Sequence, residues 1–235
     1  MFQIWQATIY GCLHDYTLTT ADLKKIENAD MFVFNGLGIE NFITKILLTY
    51  PEMLVIDASQ GIDDLISDEH EENVHIWLSI DKYIEQVKNV KQGLMDYDSK
   101  HKNLYEKNGN EYIAKLKELK SRIEDVAKQE KKCLSFSESL AYLEESMNLK
   151  MKIIETDHEQ NGFSAESLAE AIKYVKENNV KNIIIDKQTA DNNAQTVANE
   201  TGAKVYVLDA VLSGNDDADY IQIMEENLKI VESME

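Results

Sequence analysis

Apolar residues in the middle of the chain recur every three or four positions. Ile84, Val87, Val90 and Leu94 form one run, and Tyr105, Tyr112, Ile113, Leu116, Leu119, Ile123 and Val126 form another. This is the period of a helix with one buried stripe, not that of a strand. The stretch 81–131 is densely charged and free of proline. Gly93 and Gly109 each weaken it by about 1 kcal/mol relative to alanine. The polar run Asp96-Tyr97-Asp98-Ser99-Lys100 ends one helix, and a second follows over 102–131. At the α-helical rise the second helix is about 45 Å long, more than one small domain needs. A coiled-coil arm requires a strict heptad, which the stripe lacks. A rigid strut joining two lobes agrees better with the patterns on either side.

Before the strut, residues 2–10 alternate like a strand and lead into the loop Gly11-Cys12-Leu13-His14-Asp15-Tyr16. Thr19-Thr20-Ala21-Asp22 opens a helix, with threonine as cap and Asp22 at the positive end of the dipole. Met31-Phe32-Val33-Phe34 is a buried-type strand. It turns through Asn35-Gly36-Leu37-Gly38 into a helix ending near Pro51, and 53–56 is another strand. Residues 63–73 form an acidic connection, and His75-Ile76-Trp77-Leu78-Ser79 enters the strut. After it, strands at 133–136, 149–154, 182–185 and 204–208 alternate with helices at 138–147, 165–177, 189–200 and 217–233. This is an α/β pattern: two lobes with mainly parallel sheets joined by one long helix. The lobes are read as 1–101 and 132–235, with 102–131 between them.

Composition narrows the partners. A chain of 235 residues with 43% hydrophobic content can hold one large α/β domain or two small ones, and the strut favours two. The formal charge of −19 repels phosphate backbones, so nucleic acid is not an expected partner, whereas cations are suited to it. Arg122 is the only arginine. No apolar run reaches the roughly 20 residues that cross a bilayer, and the first residues lack a basic signal-peptide start. Gly11-Cys12 resembles a lipoprotein processing site only superficially, because the preceding segment alternates like a strand. Cys12 and Cys133 are too few for a disulfide framework.

In parallel sheets, ligands sit at the carboxyl ends of strands. There the first lobe offers His14 and His75, and the second offers Asp209 together with Ser137 or Glu138. Imidazole and carboxylate from separate loops suit zinc or manganese. Taken singly, each has a plainer account: loop histidines are often exposed, and an aspartate after a strand often makes a turn. Gly36 and Gly38 lack the third glycine of a dinucleotide fingerprint, so an ordinary strand-to-helix turn is the better reading. His101 and His158 are expected to face solvent, and Asp63-Asp64 and Asp216-Asp217 to be turn charge.

Several segments resemble, in order, those of the zinc and manganese solute-binding proteins of ABC importers, cluster A-I. His14-Asp15-Tyr16-Thr17-Leu18, with the segment to Asp30, resembles the first ligand motif, and Phe34-Asn35-Gly36-Leu37-Gly38-Ile39-Glu40 the next segment. His75-Ile76-Trp77-Leu78-Ser79 resembles the second ligand motif. The strand ending at Asp209 resembles the one bearing the last carboxylate, and Asp219 to Leu228 the closing helix. The resemblance implies an extracytoplasmic, non-enzymatic receptor that delivers a transported divalent ion, zinc or else manganese, to the membrane permease of an ABC importer. It implies a monomer, anchored as a lipoprotein in its full-length precursor. The ion would sit between the lobes on His14, His75 and Asp209.

Three departures qualify the match. The family's third ligand is a histidine or glutamate five residues before a tyrosine. Registering on Tyr142 puts Ser137 there, so Glu138 or a water would complete the shell. The family's opening strand and helix, and its signal sequence, are not recognisable at the start. The loop before His75, Asp68-Glu69-His70-Glu71-Glu72, is short and acidic where zinc importers often carry a histidine-rich one. An alternative is a degenerate relative acting as a surface interaction protein. A metal-dependent hydrolase would need an open coordination position and a general base, for which only Glu138 is at hand.

Overall fold

The structure, a computed structural model, describes residues 16–67, 72–154, 164–187, 192–211 and 219–235. The strand expected at 2–10 lies outside these residues, as do Cys12, His14 and His158. The chain forms two compact units, Met1–Glu118 and Leu119–Glu235.

In the first unit, α1 (Thr20–Glu27) starts at Thr19. The Thr19 side chain accepts from the Asp22 N–H while the Asp22 carboxylate accepts from the Thr19 N–H, a reciprocal capping box. β1 (Met31–Phe34) and β2 (Leu54–Asp57) pair in parallel, with Met31 opposite Leu54 and Phe34 opposite Asp57. Between them lies α2 (Ile43–Thr49). A 3₁₀ turn at Ile76–Leu78 precedes α3 (Ile80–Tyr97). Gly93 faces β2 so closely that a Cβ there would lie 2.7 Å from Ile56 Cδ1. The helix-weakening glycine of the sequence is therefore a packing requirement.

The expected break in the strut is present. A 3₁₀ turn at Ser99–His101 separates α3 from α4 (Lys102–Val126). Asp98 Oδ2 holds the turn, 2.7 Å from His101 Nδ1 and accepting the Tyr105 hydroxyl at 2.8 Å. Along α4, Tyr105, Ile113, Leu116, Leu119 and Ile123 are all buried, as the helical period requires. α4 ends at Val126 rather than at 131. Asn148 Nδ2 donates to the Ala127 carbonyl, and Lys131 already belongs to a strand, paired opposite Leu149.

The second unit contains β3 (Lys131–Ser135), α5 (Ala141–Met147), β4 (Leu149–Ile153), α6 (Ala165–Glu177), β5 (Asn182–Asp186), α7 (Asn192–Thr201), β6 (Lys204–Leu208) and α8 (Tyr220–Ser233). Its four strands are all parallel in the order β4-β3-β5-β6. Leu134, Ile183, Val175, Ala171, Val197 and Ala194 form the core between the sheet and α6 and α7. The connections from β3 and β5 leave toward opposite edges. The carboxyl ends of these two neighbours therefore flank a topological switch point, where α/β sheets hold their ligands.

Candidate metal centre

His75 lies at the carboxyl side of the first unit's sheet. Asn35, directly after β1, donates from Nδ2 to the Val74 carbonyl at 3.4 Å, and Gln86 on α3 donates to Asn35 Oδ1 at 2.7 Å. These bonds tie the residue before His75 to β1 and α3. Asn73 then fixes the imidazole. Its Oδ1 accepts the His75 backbone N–H at 3.0 Å and lies 2.9 Å from His75 Nδ1. An amide oxygen only accepts, so Nδ1 carries a proton and donates to it; in a neutral His75 the lone pair is then on Nε2, a tautomer that suits a metal ligand. The imidazole is buried and lies against Trp77, with ring centroids 5.2 Å apart.

The glycine turn after β1 is occupied by its own chain. Glu40 accepts the N–H groups of Asn35 at 2.7 Å and Gly36 at 3.2 Å, so these amides are not a phosphate cradle. Burial pushes the Glu40 carboxyl up in spite of the two amides. Gly36 has a φ of +93°, and a Cβ on it would meet Ser59 Oγ at 2.1 Å.

Asp209 follows β6 directly, and its carboxylate is buried. Asn227 of α8 accepts the Asp209 N–H and donates to the Asp209 carbonyl, both at 2.9 Å. Asp209 Oδ1 accepts the Val211 N–H at 2.8 Å, and Oδ2 accepts from the Lys187 ammonium at 3.0 Å. That hydrogen bond raises the Lys187 ammonium above its ordinary value.

The third position has two occupants. Ser137 is half-buried, its hydroxyl 2.6 Å from that of Ser139, while Glu138 begins a 3₁₀ turn and is exposed. Cys133 is buried, and burial pushes its thiol up to about 12, so it is no thiolate donor at neutral pH. His101 is exposed, as expected, and faces Asp98.

Among the described residues, no three His, Cys, Asp or Glu side chains converge in a group that could hold a metal ion. His75 belongs to the first unit, Asp209 and Glu138 to the second, and His14 lies outside the described residues. The residues that hold these side chains were not singled out by sequence. Asn227 had a signal: it is a polar residue on the buried face of α8, among Ile223, Met224, Leu228 and Val231. Asn73, two residues before a histidine, had a weaker one, and Lys187 had none.

The sequence model of the family described as zinc-uptake complex component A, periplasmic (ZnuA), matches residues 10–234. The high-affinity zinc uptake system protein ZnuA of Bacillus subtilis (strain 168) is 32% identical over 238 residues, covering 92% of this chain and 75% of that protein. A crystal structure of ZnuA superposes with a TM-score of 0.82 at 26% identity, covering 94% of this chain and 86% of that one. Zn(II)-bound AdcA of Streptococcus pneumoniae gives 0.80 at 28% identity over 94% of this chain, which spans only 50% of AdcA. A match over nearly the whole sequence, with the same two-lobe α/β fold, places this chain in the ZnuA family of zinc-uptake receptors.

Proposed function

We propose that this chain captures a divalent metal ion outside the cytoplasm, zinc first and manganese second, and hands it to the permease of an ABC importer. His14 and His75 bind as neutral imidazoles and Asp209 as a carboxylate, with Glu138 or a water as the fourth donor. Glu138 is exposed and Ser137 is engaged with Ser139, so the fourth position is the weakest part of the shell. The protein acts as a monomer anchored to the membrane as a lipoprotein, and no catalytic step is required.

The observation that carries this reading is the clamp of Asn73 on His75, which fixes the tautomer with its lone pair on Nε2. The names of the relatives support zinc as the first choice.

The test is calorimetric titration of the apo protein with zinc and with manganese, alongside His14→Ala, His75→Ala and Asp209→Ala. One ion bound per chain, lost in each variant while circular dichroism is unchanged, is the expected result. Affinity falls below about pH 6, where imidazoles protonate. A folded protein that binds neither ion, or whose affinity is level between about pH 5 and 7.5, overturns the proposal.

A further inference from the structure

Lys187 is the residue after β5, and its backbone N–H continues the ladder by donating to the Leu208 carbonyl at 2.8 Å. The bond holds Lys187 beside Asp209, the residue that follows Leu208. Its ammonium then reaches Asp209 Oδ2 at 3.0 Å, while Oδ1 is taken by the Val211 amide. The exposures are unequal: the Lys187 side chain is 55% exposed and that of Asp209 11%. The Val211 amide holds the carboxylate and Asn227 holds the Asp209 backbone, whereas the Lys187 side chain is more than half exposed to water.

We propose that Lys187 is an internal competitor for the metal, an ammonium on the Asp209 oxygen that an incoming divalent ion must displace, and so an affinity-setting residue of the receptor. The inference rests on Asp209 being a metal ligand, as proposed above. Two cations cannot share one carboxylate oxygen at contact distance without strong repulsion. Loading therefore exchanges Lys187 for the ion, and release to the permease is assisted by its return. A weakly interacting cation would not complete the exchange, which sharpens selection for ions that bind imidazole as well as carboxylate.

The experiment is zinc affinity, measured by competition with a chelator of known affinity, for the unaltered protein, Lys187→Gln, Lys187→Arg, Asp209→Asn and the Lys187→Gln/Asp209→Asn pair. Lys187→Gln removes the competing charge and is expected to bind zinc about tenfold more tightly. Lys187→Arg keeps the charge and stays at or below the unaltered affinity. In the Asp209→Asn background the gain from Lys187→Gln disappears, because there is no carboxylate left to contest.

Unchanged or weaker binding by Lys187→Gln, with zinc still bound by the unaltered protein, overturns this inference and leaves the receptor reading standing. A gain that persists in Asp209→Asn also overturns it, since the lysine would then act through general surface charge. Absence of zinc binding by the unaltered, folded protein overturns both together.

Discussion

Asn227 grips both backbone groups of Asp209, taking its N–H on Oδ1 and giving Nδ2 to its carbonyl, each at 2.9 Å. A side chain on α8 thereby reproduces, at the end of β6, the pairing a further strand would have supplied. Asn227 is 1% exposed, so the arrangement is made out of reach of water. Among the standard side chains only an amide both accepts and donates through such a short, planar group.

Asn227→Ala leaves the Asp209 N–H and carbonyl buried without partners. A loss of about 2 kcal/mol in stability is expected, together with about tenfold weaker zinc binding if Asp209 is the ligand proposed above, because it no longer holds its direction. Asn227→Asp keeps the acceptor but turns an oxygen toward the Asp209 carbonyl and buries a charge, so it is expected to cost at least as much as alanine. Urea unfolding and chelator competition measure the pair of effects. Full zinc affinity in a destabilised Asn227→Ala would show that the clamp serves only the fold.

How much of this was legible in the sequence differs by element. The polar run 96–100 located the break between α3 and α4, and the apolar pattern found β1, α6 and β6 at their observed residues, although β1, expected to be of the buried type, leaves Val33 43% exposed. The same pattern ran α4 on past Val126, since lysine and glutamine are good helix formers and nothing local announces that Lys131 pairs with the strand at Leu149. Motif resemblance pointed to the family, and the match over 10–234 establishes it. Apart from Asn73, which is two residues from His75, the residues that position these side chains act across gaps in sequence: Asn35 reaches Val74, Lys187 reaches Asp209, and Asn227 reaches back to β6. Local pattern does not name the partner in such bonds, even where, as at Asn227, a polar residue on a buried face marks one end. The departure at Ser137 was legible; its bond to Ser139 was not.

Asp22 makes the first unit sensitive to pH at both extremes. Burial alone would raise its carboxyl. The hydrogen bonds from the Tyr16 hydroxyl and from the Thr19 hydroxyl and N–H outweigh that and hold it below the ordinary range. A depressed folded value adds stability at pH above the unfolded carboxylate's pKa, near 3.9, and that stability is lost as pH falls through the folded value. For Tyr16, burial and then the bond to Asp22 push the phenol from 10.0 up to about 12. Its contribution is present below pH 10 and is lost as pH rises toward the folded value. Tyr16→Phe is therefore expected to cost about 1 kcal/mol at pH 7. The difference from the unaltered protein should narrow below about pH 4 and again at the alkaline extreme. Urea unfolding across this range reads it directly; a difference independent of pH would mean that the Tyr16 hydroxyl does not act through the charge of Asp22.

The two helical glycines of the strut give the sharpest test of packing, because the same substitution has opposite expected outcomes. Replacing glycine by alanine inside a helix gains about 1 kcal/mol from backbone entropy alone. At Gly93 the new methyl would lie 2.7 Å from both Cδ1 and Cγ1 of Ile56, a side chain only 5% exposed and seated under α3. Neither the strand nor the helix can yield without opening the core. Overpacking of this kind costs about 1–3 kcal/mol, so Gly93→Ala is expected to be destabilising overall. At Gly109 the nearest atoms belong to Lys91, with Cδ at 2.5 Å. That side chain ends at an exposed hydrogen bond to Asn110 and can turn aside. Gly109→Ala should therefore keep most of the helical gain and raise the unfolding midpoint, while Gly93→Ala lowers it. Thermal unfolding of the two variants side by side decides the matter. If Gly93→Ala also raised the midpoint, the close approach of α3 to β2 would not be what requires a glycine there.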